Sequence, residues 1–142
     1  MAMLKKSLYS IIFFISILVG QNTKPTVAIL DFEGQGVDPS EVQTLSERMR
    51  TEIGNTNAVR LIERKAVEKI MMEQGLQQSG CTSDECAAEV GQLLGVQFMI
   101  SGSIGKMGKS YTIDCKMFSV ETGETVRSKN APHDGDISGL LT

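Results

Sequence analysis

The residues able to do chemistry are few. The chain has three cysteines and one histidine, and no tryptophan. Cys81 and Cys86 lie five apart in CTSDECAAEVG, at what reads as a helix start. Three states suit such a pair: a disulfide, two free thiols, or half of a zinc site. A structural zinc site takes about four ligands, and only Cys115 and His133 remain to supply the others. A disulfide needs an oxidising compartment. Cys115 falls in phase with Tyr111, Ile113 and Met117 on one side of a strand, which predicts a buried free thiol.

Asp31, Glu33, Asp38 and Glu41 gather after the first apolar run, with Gly34 and Gly36 between them. A strand, a Gly-x-Gly loop and a helix can cradle phosphate on the helix N-terminus. The third glycine of the dinucleotide fingerprint is missing, and no Gly-Lys-Ser/Thr follows. Gly34 and Gly36 are therefore a weak loop candidate for a ligand, and a flexible turn is the plainer reading. Asp38 and Glu41 are explained as helix caps. With no histidine or reactive cysteine beside the carboxylates, no catalytic constellation forms, and neither a cofactor nor a metal is expected.

The compartment is read at the N-terminus. Lys5 and Lys6 precede an apolar run from Leu8 to Val19. That is the length of a signal-peptide core and short of a membrane span. Residues 1–20 are expected to be a signal peptide or an uncleaved anchor, and 21–25 a spacer. No cysteine follows the run, so lipidation of a mature N-terminal cysteine is not expected. Export makes Cys81–Cys86 the expected disulfide. The formal net charge of −3 and the absence of a basic block disfavour nucleic acid.

The elements that must position these residues follow from period and punctuation. Thr26–Phe32 is near-continuously apolar, as in a strand covered on both faces. Asp38-Pro39-Ser40-Glu41 opens a helix, with Val42, Leu45, Met49 and Ile53 as its buried stripe and Glu47 and Arg50 on the solvated face. Val59–Ile62 reads as a short strand and Glu63–Gln74 as a second helix. Thr82 or Ser83 caps a third, which carries small residues at Ala87, Ala88 and Gly91 and stops at Gly95. Val96–Ile104 reads as a central strand with Val96, Phe98 and Ile100 on one face and Met99 on the other. Ser110–Val120 completes a hairpin. Thr125–Asn130 starts a third meander strand, broken by Pro132, Asp134 and Gly135. Asp136 caps a short closing helix, which marks either a truncated chain or a stub docked on the sheet. The fold class is α/β (α+β): a mixed sheet with helices packed on it, in the order β-α-β-α-α-β-β-β-(α), over residues 26–142.

Four stretches carry a family resemblance: VAILDFEGQGVDPSE, VRLIERKAVEKIMMEQGLQQSGC, DECAAEVGQLLGVQFMISGSIGKMGKSYTIDCKMFSVETGE and the closing DISGLL. Their order resembles the periplasmic domain of the curli secretion channel lipoprotein CsgG. It is also similar to TolB N-terminal-like domains and to outer-membrane activators of penicillin-binding proteins. The resemblance implies a bacterial envelope protein, periplasmic and including the periplasmic face of the outer membrane. It implies that the protein acts by self-assembly or by binding envelope proteins rather than by catalysis. The curli-assembly reading leads, and only its soluble domain carries over, since no insertion is long enough for paired spanning strands. The alternatives are a periplasmic activator of a peptidoglycan synthase and a small-molecule or nucleotide-binding envelope protein.

Overall fold

A computed structural model describes residues 23–76, 81 and 83–141. The expected signal segment and the capping role of Thr82 lie outside the described residues. The sheet is mixed. Strand β1 (Thr26–Ile29) runs parallel to β3 (Arg60–Leu61) on one side and to β4 (Phe98–Met107) on the other. β5 (Ser110–Ser119) and β6 (Thr125–Asp134) then add antiparallel, giving the order β3-β1-β4-β5-β6. β4 is central, as its lack of charge predicts.

The expected strand from Thr26 to Phe32 is broken. After Ile29, which pairs with Ile100, the chain resumes pairing only at β2 (Glu33–Gln35), where Glu33 lies opposite Ser103. Four steps along one strand match three along the other, so one residue bulges out and the strand's phase flips. Phe32 N–H leaves the ladder and donates to Ser46 Oγ at 3.1 Å.

Helix α1 (Pro39–Asn55) covers one face of the sheet. Asp38 caps it by accepting from Ser40 N–H at 2.8 Å. Val42 and Leu45 pack there against Val27, Ile29, Phe32, Ile100 and Ile104. Helices α2 (Arg64–Glu73) and α3 (Asp84–Leu94) cover the opposite face, over Ala28, Leu30, Met99 and Phe118. Ser83 is the α3 cap, accepting from Cys86 N–H. A Cβ at Gly91 would sit 2.6 Å from Val120 Cγ2 and 2.8 Å from Met99 Cγ, so the glycine is what lets α3 lie close to the sheet. Gly95 ends α3 in the left-handed region at φ 66°, and Val96 N–H closes the helix by donating to Gly91 O. Val96 thus precedes β4 and packs with the α2/α3 cluster, not beside Phe98 and Ile100 as its spacing suggests.

Pro132 does not end the last strand. Gly135 N–H donates to Lys109 O, and the bonded pairs of an antiparallel ladder repeat every two residues. Residues 127, 129, 131 and 133 therefore bond to β5, while Ser128, Asn130 and Pro132 turn their backbone groups to the free edge. A proline there removes no ladder bond. The chain closes in a 3-10 helix, Ile137–Leu141. Ile137 and Leu140 pack partly buried against the α1-side cluster, so the segment docks as a stub.

Candidate functional site

The bulge between β1 and β2 throws Asp31 out of the sheet. There its carboxylate meets two guanidinium groups: Oδ1 lies 2.6 Å from Arg50 Nη2 and Oδ2 lies 2.8 Å from Arg64 Nη2. Arg50 also donates to Ile29 O at 3.0 Å, and Glu47 bridges both arginines at 3.0 and 3.2 Å. Arg64 Nε stands 3.1 Å from Glu68 Oε1, a charge contact whose N–H points off the hydrogen-bond direction. Burial works against the Arg64 charge, but the Asp31 hydrogen bond and the charges of Asp31, Glu68 and Glu47 together raise its pKa. The cluster ties β1, α1 and α2 together at the strand end. Arg50 is only 7% exposed, against the expectation of a solvated face, because Asp31 draws it inward.

Beside this cluster the sheet face is uncovered. α2 and α3 shield Met99 and Phe118, and beyond them the same face turns polar. Ser101 and Ser103 on β4, Asp114 and Lys116 on β5, and Ser128 and Asn130 on β6 line a groove of about 390 Å³. Asn130 Nδ2 donates to Asp114 Oδ1 at 2.6 Å, and Lys116 is paired with Asp84 at the start of α3. The groove is lined by hydroxyls, an amide and charges together with the apolar Leu30 and Cys81, and by no histidine. It can hydrogen-bond a polar partner, and no nucleophile–base pair stands in it. Among the described residues no group of three or more His, Cys, Asp or Glu is placed to hold a metal ion. No helix among them is long and apolar enough to cross a membrane.

The residues singled out from the sequence fall in separate places. Cys81 and Cys86 are joined as a disulfide across the start of α3, with Cα atoms 5.4 Å apart, and Cys81 is buried at one end of the groove. Cys115 is a free thiol on the other face of β5, half-buried against the α1-side cluster, and burial pushes its pKa up. Gly34 sits in β2 opposite Ile104, and a Cβ there would meet Val42 Cγ2 at 2.7 Å. Gly36 turns the chain at φ 72°. Gly34 serves the close approach of β2 and α1, and Gly36 serves the turn. The N-terminus they lead to already carries the Asp38 carboxylate, which repels an anion. Sequence reasoning missed the Asp31–Arg50–Arg64 cluster. The signal was present in Arg50, which lies eight residues after Val42 and four after Ser46, inside the buried stripe of α1.

A mixed sheet with helices on both faces and a groove on one of them defines a class of small α/β domains. Within that class the chain belongs to the family of the peptidoglycan-synthase activator LpoB, whose model matches residues 3–132. The C-terminal domain of LpoB from Salmonella enterica is 15% identical over 82% of this chain and 87% of that one, with a TM-score of 0.65. The corresponding Escherichia coli domain is 14% identical over 85% and 93%, also at 0.65. Lipoprotein GNA1162 from Neisseria meningitidis is 12% identical over 82% and 88%, at 0.68. At these identities the likeness is one of fold. No curated protein matches the chain.

The family match overturns the curli reading and the secretion role attached to it. The quoted signatures mark folding signals: Ile62-Glu63-Arg64 is the cap of α2, Leu94-Gly95 the stop of α3, and Val120–Gly123 a turn closed by a left-handed glycine. They therefore report how this chain folds and name no activity.

Proposed function

We propose that this protein is an exported, non-enzymatic activator of a peptidoglycan synthase, acting in the bacterial cell envelope by binding the synthase. The family match across residues 3–132 carries the reading. The polar groove beside the charged cluster, a surface able to hydrogen-bond a protein partner, supports it. Residues 1–20 direct export, and the Cys81–Cys86 bond suits an oxidising compartment. Crosslinking in the native envelope, followed by mass spectrometry of the adducts, tests the partner. A one-to-one adduct with a peptidoglycan synthase is expected. A ladder of self-adducts with no synthase overturns the reading.

A further inference from the structure

The most open element of the fold is β6. It pairs with β5 alone, and every residue from Thr125 to Pro132 is exposed. A long free edge is a template for another strand, and proteins blunt such edges with charge, proline and bulges. Here those devices leave a window. The β5–β6 register slips at Met117/Phe118, where Val126 is skipped, and Pro132 removes one outward donor. Between them, Ser128 and Asn130 present both N–H and C=O to the outside. On the α1 side of the same window stand Arg127 and Lys129, and neither has an ion-pair partner among the described residues. β6 therefore carries an excess of positive charge on a chain of net charge −3.

We infer that the edge of β6 from Arg127 to Ala131 takes an extended acidic segment of the partner protein as an added strand. The inference rests on the reading that this protein works by binding an envelope partner. The register sets the pattern of the incoming segment. Its backbone bonds Ser128 and Asn130, and its carboxylates occupy the alternate positions opposite Arg127 and Lys129. Opposite charges facing each other across a strand pair are favourable, and like charges are not. That rule excludes a second copy as the occupant. Antiparallel self-pairing centred on Lys129 or Ser128 places Lys129 against Lys129 or Arg127 of the other chain, and centred on Asn130 it sets Ser128 opposite Pro132, which has no N–H to give. The chain's own segment at residues 1–22 has Lys5 and Lys6 and no carboxylate, so it does not fit either. The side chains of Ser128 and Asn130 face the polar groove, so the added strand's other face is polar as well.

The test is amide hydrogen exchange on the purified full chain, alone, with purified peptidoglycan synthase, and with a ten-residue probe peptide of alternating Glu and Thr. Strand addition slows exchange at Ser128 and Asn130 by about tenfold or more. It leaves Arg127 and Lys129 unchanged, because their amides already bond to β5. R127E/K129E weakens synthase binding by about tenfold or more. Asn130→Pro does the same by deleting an outward donor at a position in phase with Pro132, whereas Asn130→Thr keeps the donor and binds normally. Synthase binding with no protection at Ser128 and Asn130 and no effect of these variants overturns the inference and leaves the proposed function standing. Protection by the peptide with no synthase binding keeps the inference and overturns the function. No synthase binding and no protection by the peptide overturns both.

Discussion

Replacing Asp31 by alanine tests the packing logic of the strand end. Asp31 joins two arginines from different helices, one of them, Arg50, with a side chain 8% exposed. Removing one partner of a buried ion pair costs ~3–5 kcal/mol, because a charge is left uncompensated. Two features reduce that here. Arg50 keeps Ile29 O and Glu47, and Asp31 itself is 19% exposed. The expected loss is therefore ~2–4 kcal/mol. Against a total of roughly 5–15 kcal/mol for a domain, this is a large fraction. Urea denaturation of the two proteins measures it as a lower midpoint at unchanged slope. A double-mutant cycle with Arg64→Ala gives a coupling of about 1–2 kcal/mol if the two side chains act as one unit. A loss under about 0.5 kcal/mol, the size of an ordinary surface substitution, refutes the claim that this cluster pins β1 to α1 and α2.

Four further outcomes follow from the same structure. Without reductant, alkylation of the unfolded chain labels Cys115 alone, and breaking Cys81–Cys86 costs about 2 kcal/mol for so short a loop; labelling of all three thiols contradicts the bond. In the folded state Cys115 alkylates more slowly at pH 8 than the same thiol in urea, because burial raises its pKa. Asp38 is held below its ordinary 3.8 by hydrogen bonds from the Ser40 hydroxyl and amide. Its contribution to stability is thus present above that value and lost as pH falls through the lower folded one; Asp38→Asn abolishes this part of the acid dependence of the melting temperature. Gly102→Ala costs about 1–3 kcal/mol or more, since the new methyl meets Asp114 O at 2.3 Å and the Phe32 ring at 2.8 Å; a variant as stable as the parent refutes that geometry.

The helices and the order of the main strands are legible in the sequence because local rules set them. Asp38-Pro39 starts α1 and Gly95 stops α3, and each is a signal contained in a few residues. The small face of α3 likewise announces its close approach at Gly91. The bulge at Leu30–Phe32 is not legible, because what draws Asp31 aside and takes Phe32 N–H is tertiary: Arg50, Arg64 and Ser46, 14–33 residues away. Arg50 reads as a surface charge for the same reason. Pro132 reads as a breaker because a proline's cost depends on which side its nitrogen faces, and that is set by the hairpin register at Gly135 and Lys109. The groove is half legible. Ser101 and Ser103 interrupt an apolar strand, but their meeting with Asp114, Ser128 and Asn130 needs the ladder. The family was misread because the quoted motifs are this fold's caps and turns, which carry no mark of function.

The most direct measurement of the central claim is the rate at which a purified peptidoglycan synthase from the same organism polymerises and crosslinks glycan, with and without the full exported chain. A faster rate is expected, saturating as the chain is titrated, with no substrate consumed by the chain alone. A synthase rate that stays unchanged at saturating chain, or turnover by the chain itself, contradicts that claim.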